Sequence, residues 1–188
     1  MFYQIRKIER IRPHITENAY KTLVCSLITS RLDYGNALLY GVNTSIIAKL
    51  QRVQNTAARL VTRTKKHDHI TPVLISLHLL PIPYRCQYKT LMYVFKAIHG
   101  TAPVYLQELI TIYRPSRTLC SDNSNLLQVP KVRIKTYGER RFDKSAATLW
   151  NNLPSELRNV NSLDIFKKDL KTYLFKLFHF SIFFSLSS

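Results

Sequence analysis

Apolar residues recur at three- and four-residue spacing along most of this chain, which is the period of an amphipathic helix. Ile5, Ile8 and Ile11 carry that period up to Arg12-Pro13, where it stops. A helix cut off by the start of the chain suggests that something once preceded residue 1. Thr16 opens a second helix, with Tyr20, Leu23, Val24, Leu27 and Ile28 on one face. Arg31–Gly41 is turn-rich, with glycines at 35 and 41. The stretch Asn43–Lys66 then predicts a longer helix with two ridges. Ile46, Leu50, Val53, Ala57 and Leu60 form an apolar ridge that docks on a core. Positions 49, 52, 56, 59 and 63 form the ridge beside it. Four of these are cations, Lys49, Arg52, Arg59 and Arg63, with Thr56 in the gap. The helix runs out in Thr64–Asp68.

From Ile70 the texture changes. Thr71-Pro72 opens a short apolar helix that reaches Leu77, and Pro81 and Pro83 break the pattern. Pro83 suits the first turn of the next helix, about Tyr84 to His99, because a missing N–H is harmless there. Tyr84, Tyr88, Leu91, Met92, Phe95 and Ile98 face inward; Arg85, Lys89 and Lys96 lie outside; Gly100 stops the helix. Pro103–Ile112 reads as a short helix and Arg114–Asn125 as a mobile polar loop. Leu126–Lys135 alternates apolar and cationic residues, which predicts one or two short strands around Pro130. Glu139–Asn151 is helical, with Phe142, Ala146, Leu149 and Trp150 inward. Ser162 caps a final helix whose inner face is Leu163, Phe166, Leu170, Tyr173, Leu174 and Leu177. The expected fold class is mainly α: a small helical bundle over 1–66, a mostly helical extension with one or two short β-strands over 67–178, and an irregular apolar tail over 179–188.

Charge sharpens this picture. The 188 residues hold 28 Lys+Arg against 11 Asp+Glu, a formal charge of +17. Asn43–Lys66 holds no acid at all, whereas an ordinary surface helix mixes signs and gains from pairs four residues apart. With 46% hydrophobic residues the chain has material for a core and is no disordered basic tail. An excess of this sign and size points to a polyanion. Nucleic acid comes first, an acidic membrane surface second and an acidic protein third. Cys25, Cys86 and Cys120 show no CxxC spacing, which argues against a disulfide framework or a zinc ribbon and for reduced thiols in the nucleus or cytosol. Met1–Arg12 has no apolar core of a signal peptide. Leu174–Leu186 is Phe-rich but is interrupted by Lys176 and His179 and is too short to span a bilayer.

Few residues suggest catalysis. Four scattered glycines cannot form a phosphate-cradling loop, and no G-x-S-x-G elbow occurs. His67-Asp68-His69 lacks an evident third ligand and reads as a polar turn. Asp33 has no acidic neighbour nearby in sequence, so it suits a turn cap better than a paired-metal site. The expectation is no catalytic residue, no cofactor, no metal and no small-molecule substrate. Three cationic patches carry the binding expectation. The first is Lys49, Arg52, Arg59 and Arg63 with Lys65 and Lys66. The second is Arg85, Lys89 and Lys96. The third is Lys131, Arg133 and Lys135 with Arg140 and Arg141. Tyr40, Tyr93 and Tyr137 lie close enough in sequence to stack on bases, although core packing is the commoner role of a tyrosine.

Four blocks, taken in order, carry a family likeness: SRLDYGNALLYG (Ser30–Gly41), KLQRVQNTAARLVTRTKKHDHITPVLISLHLLPI (Lys49–Ile82), YKTLMYVFKAIHGTAPVYLQELI (Tyr88–Ile110) and YGERRFDKSAATLWNNLPSELRNVNSLDIFKKDLKTYLF (Tyr137–Phe175). Together they resemble the C-terminal portion of reverse transcriptases from LINE-type, non-LTR retrotransposons of the chicken-repeat and jockey-like group, from about Ile5 to Phe175. The resemblance implies a thumb-like bundle over Ile5–Lys66, with the Lys49–Arg63 helix near the template–primer backbone, followed by a C-terminal extension. It places the catalytic acids in a palm upstream. No Y-x-D-D turn occurs here, and the fingers, palm, endonuclease and terminal zinc knuckle have no counterpart in the chain. The implied protein is a piece of an RNA-directed DNA polymerase without its reaction centre, nuclear or cytoplasmic, which binds RNA, DNA or hybrid backbones without sequence preference. The alternatives are recruitment as a thumb by a palm supplied in trans, an interaction or membrane-surface protein using the Phe-rich tail, and an element remnant with no function.

Overall fold

The structure, a computed structural model, describes residues 1–114, 125–133 and 138–186, with 181–186 described as backbone alone. The interior of the expected polar loop Arg114–Asn125 lies outside the described residues, as do Cys120, Ile134, Lys135 and Tyr137. The fold is mainly helical, as the periodicity predicts. It divides into two compact units, Met1–Arg85 and Cys86–Ser188.

In the first unit, α1 (Phe2–Ile11) buries Ile5 and Ile8 and leaves Ile11 exposed. Pro13 sits in a single 3-10 turn, Arg12–His14. Thr16 then caps α2 (Glu17–Val24), its hydroxyl accepting from the Ala19 N–H at 3.4 Å. A π-turn over Cys25–Thr29 joins α2 to α3 (Ser30–Asp33). The turn widens the helix, so residues four apart stay in line and Tyr20, Val24, Ile28 and Leu32 are all buried. Leu27, expected on that face, is turned out and 39% exposed. Gly35, at φ +63°, takes the left-handed conformation that begins the next turn.

Asn43 caps the basic helix α4 (Thr44–Thr62), its Oδ1 accepting from the Ser45 N–H at 3.0 Å. The buried side of α4 is Val53, Gln54, Ala57, Ala58 and Val61. This is rotated from the expected ridge: Ile46 is 44% exposed, and Leu50 and Leu60 are half-buried. Two glutamines explain the rotation. Gln54 Nε2 donates to the Leu80 carbonyl at 2.8 Å, and Gln51 Oε1 accepts from the Ile82 N–H at 2.8 Å. Gln51 Nε2 also donates to Gln54 Oε1 at 2.9 Å, so both amides are oriented together. They tie the segment Leu80–Ile82 to α4. α5 (Ile70–Ser76) joins the same side, where Val73 and Leu74 cluster with Ala58. The unit boundary therefore falls at Arg85/Cys86 and not near residue 67, because the chain after α4 folds back onto it.

The long helix α6 (Ile82–Ile98) begins in the first unit and continues into the second. From Cys86 onward Thr90, Leu91, Met92, Val94, Phe95 and Ala97 are buried, so this helix is enclosed on more than one face. Phe95 stacks on Phe166 with centroids 4.3 Å apart, and Trp150 lies 5.8 Å from Phe166. Large rings packed this way each contribute about 1.5–3 kcal/mol through burial alone. The expected helix over Pro103–Ile112 shrinks to α7 (Val104–Gln107). Beyond it the chain extends into one antiparallel bridge, Ile112 to Leu127, with Tyr113 donating to the Leu126 carbonyl at 2.9 Å.

That bridge replaces the expected strands among the described residues. The other edge of Leu127 is met by a side chain: Asn151 Oδ1 accepts its N–H at 2.9 Å, and Asn151 Nδ2 donates to its carbonyl at 2.8 Å. A side-chain amide closes the ladder where another strand would extend it. Asn151 ends α8 (Phe142–Asn151), which is followed by α9 (Ser155–Arg158) and α10 (Leu163–Leu186). α10 buries Phe166, Leu170, Leu174 and Phe178 at helical spacing. Its backbone stays helical to Leu186, in place of an irregular tail from residue 179.

Asn151→Ala removes both partners of a buried backbone pair. Each orphaned group costs about 1–3 kcal/mol. Urea unfolding is expected to show a loss of at least about 2 kcal/mol relative to the parent; an unchanged midpoint would show that water replaces the amide at no cost.

Candidate nucleic-acid interface

The six cations expected at and beyond α4 lie in one unit. Lys49 and Arg52 are exposed on the helix, and Lys65 and Lys66 are exposed in the turn that follows. Arg63 ends the helix in the left-handed conformation, at φ +58°, and is exposed. A non-glycine residue there carries a backbone penalty of about 1–2 kcal/mol. Arg59 is half-buried, and its Nη2 donates to the Asp68 backbone carbonyl at 3.0 Å. Asp68 is the only acid in this turn, and its Oδ2 accepts from the Lys65 backbone N–H at 3.0 Å. His67-Asp68-His69 is accordingly a polar turn, with both imidazoles exposed. Among the described residues no carboxylate forms an ion pair with Lys49, Arg52, Arg59, Arg63, Lys65 or Lys66.

Between α1 and α4 a groove of about 880 Å³ gathers Arg52, Arg59, Arg63 and Lys66 with Arg12. Phe2, Pro13 and Leu60 contribute apolar lining, and Thr56, Thr64 and Asn55 contribute small polar groups. Glu9 is the one acid among its lining residues. Arg12 is not among the expected site residues. In sequence it reads only as the residue before a helix-breaking proline. In the fold its Nη2 donates to the Val61 carbonyl at 3.0 Å, and its guanidinium carbon lies 4.5 Å from the centre of the Tyr20 ring. Burial pushes the Tyr20 hydroxyl above its ordinary pKa, and the nearby Arg12 charge partly opposes that shift.

The second expected patch does not survive as a free cationic face. Arg85 forms a two-pronged pair with Asp33, Nε donating to Oδ1 at 2.8 Å and Nη2 donating to Oδ2. Its side chain is 14% exposed. Asp33 also accepts from Asn36 Nδ2 at 3.1 Å, so this acid anchors a guanidinium from α6 as well as its own turn. Arg85 is thus a structural ion-pair partner. Lys89 and Lys96 are half-buried, and Lys89 Nζ lies 5.7 Å from the Tyr93 ring centre, within cation–π range.

In the third patch Lys131, Arg133 and Arg140 are exposed, while Lys135 lies outside the described residues. Arg141 is paired with Asp143 at 2.6 Å. Val132 lies against Gly138, where an added Cβ would come within 2.7 Å of the Val132 Cβ. Only glycine fits at that approach.

Among the described residues no group of three or more His, Cys, Asp or Glu is placed to hold a metal ion. No helix among them is long and apolar enough to cross a membrane. Set beside known protein families, curated proteins and solved structures, the chain matches none of them.

Two variants test the electrostatics. Asp33→Ala leaves the Arg85 guanidinium without its carboxylate. Asp33 is more than a third exposed, so we expect a loss of about 1–2 kcal/mol in urea unfolding, less than for a fully buried pair. No measurable loss would mean that water serves Arg85 equally well. For Tyr20, the folded state keeps a proton that the unfolded chain releases near pH 10. Stability from this residue is therefore complete below about pH 10 and falls as pH rises through the raised folded value. Tyr20→Phe is expected to flatten the alkaline decline of the unfolding midpoint; an identical decline in parent and variant would contradict the shift.

Proposed function

We propose that this chain binds nucleic acid through the phosphate backbone, using the cationic flank of α4 and the turn after it. The observation that carries the reading is a run of exposed cations, Lys49, Arg52, Arg63, Lys65 and Lys66, on one helix and its exit turn, none of them ion-paired among the described residues. A surface helix kept for stability alone would gain from acids interspersed among those positions, and here they are missing. Binding follows from release of counterions condensed on the phosphates, so it favours charge and shape over base sequence.

The sequence blocks that resemble a retrotransposon reverse transcriptase support the same reading. On that likeness the first unit is the thumb-like part of an RNA-directed DNA polymerase, and the catalytic acids belong to a palm outside this chain. The binding activity then sits where RNA and DNA are, in the nucleus or cytoplasm. Lys131, Arg133 and Arg140 offer a second, smaller cationic patch in the other unit.

The test is an anisotropy titration of the full chain with duplex, hybrid and single-stranded probes at several salt concentrations. Contact with about four phosphates gives a slope of log K against log salt of roughly −3 to −4. Arg52→Glu combined with Arg63→Glu is expected to weaken all three probes and to make the slope shallower by about 2. The same charge change on α10, Lys168→Glu with Lys176→Glu, is expected to change binding far less. A flat salt response, or an effect confined to one base sequence, would reject backbone binding.

A further inference from the structure

The groove between α1 and α4 is more than a charged surface. At about 880 Å³ it falls within the range of about 300–1,000 Å³ typical of pockets that enclose a small molecule or a single side group. Its cations, Arg12, Arg52, Arg59, Arg63 and Lys66, face one carboxylate, Glu9. Phe2, Pro13 and Leu60 give the same space an apolar lining that phosphates alone would not use. Arg59 adds an independent sign: its Nε is shielded from solvent and has no acceptor among the described residues, while its Nη2 is held by Asp68. A shielded guanidinium N–H without an acceptor is left unsatisfied, and an anionic oxygen would satisfy it.

Cations beside an apolar recess match a nucleotide whose base has left its stack. In a duplex the bases are paired and stacked, so only phosphates and groove edges reach a protein surface. In a single strand the base is free to insert and rest on apolar or aromatic groups. We infer that the groove between α1 and α4 takes one unstacked nucleotide of a single strand, its base against Phe2, Pro13 and Leu60 and its phosphates on Arg52, Arg59 and Arg63. This rests on the backbone-binding proposal and deepens it by naming single-stranded nucleic acid as the preferred form.

The experiment compares, with the full chain, a single-stranded oligonucleotide of about ten nucleotides, within common single-strand site sizes, and an abasic strand with the same number of phosphates. One inserted base adds about 1–3 kcal/mol, so the normal strand is expected to bind about five- to 140-fold tighter at equal salt slope. Thr56→Trp, which fills the groove without changing its charge, is expected to erase that difference and leave abasic and duplex binding as they were. Should this substitution instead unfold the chain, the parent's comparison of normal and abasic strands still decides. Equal binding of the two strands with a steep salt slope overturns the groove inference and leaves backbone binding standing. A base-dependent difference that persists in a folded Thr56→Trp variant also overturns it, because the base then sits elsewhere. A flat salt slope for every probe removes both.

Discussion

Along α4 the buried contacts are made by Val53, Gln54, Ala57, Ala58 and Val61, and none of them carries a charge. Small alanines let α5 approach, with Val73 and Leu74 against Ala58. The two glutamine amides satisfy the main chain at Leu80 and Ile82, where it would otherwise be left without partners. Docking of this helix therefore needs no ion pair. Among the described residues no carboxylate forms an ion pair with its cations, and their mutual repulsion is screened by salt or relieved by a polyanion. Binding of a polyanion depends on this separation of an uncharged, amide-locked inner side from a wet, cationic outer side.

Arginine alone does not define the interface; the fold decides what each arginine does. Arg52 and Arg85 look alike in sequence, each on the expected outer side of an amphipathic helix. Among the described residues Arg52 forms no ion pair. Arg85 meets Asp33, brought from 52 positions away by the turn after α3. A guanidinium clasped on both prongs by a carboxylate has little to offer a phosphate. Arg12 shows the reverse case, a residue with no signal in sequence that the fold sets at the rim of the groove and against the Tyr20 ring.

The elements most legible in the sequence are those set by local rules. Thr16 and Asn43 cap the helices that follow them, and the 3.6 period locates α1, α2, α4, α8 and α10. What cannot be read there involves partners distant along the chain. The buried side of α4 is turned by amides that bond to residues beyond α5. The π-turn at Cys25–Thr29 displaces Leu27 outward, and nothing in CSLIT signals it. The alternation around Leu127 suggests strands, but Asn151 completes its hydrogen bonds, so a single bridge suffices. The cationic ridge of α4 is legible because it needs only helical spacing and a missing acid. The groove is not, because it also needs α1.

The most direct measurement is a nitrogen–proton spectrum of the arginine Nε–H groups of the full chain, assigned by substitution and titrated with a short single strand. With strand bound in the groove, the Arg52, Arg59 and Arg63 signals are expected to shift, while the Arg85 signal, held by Asp33, stays in place. Shifts confined to other arginines, with those three unmoved at saturation, would contradict binding there.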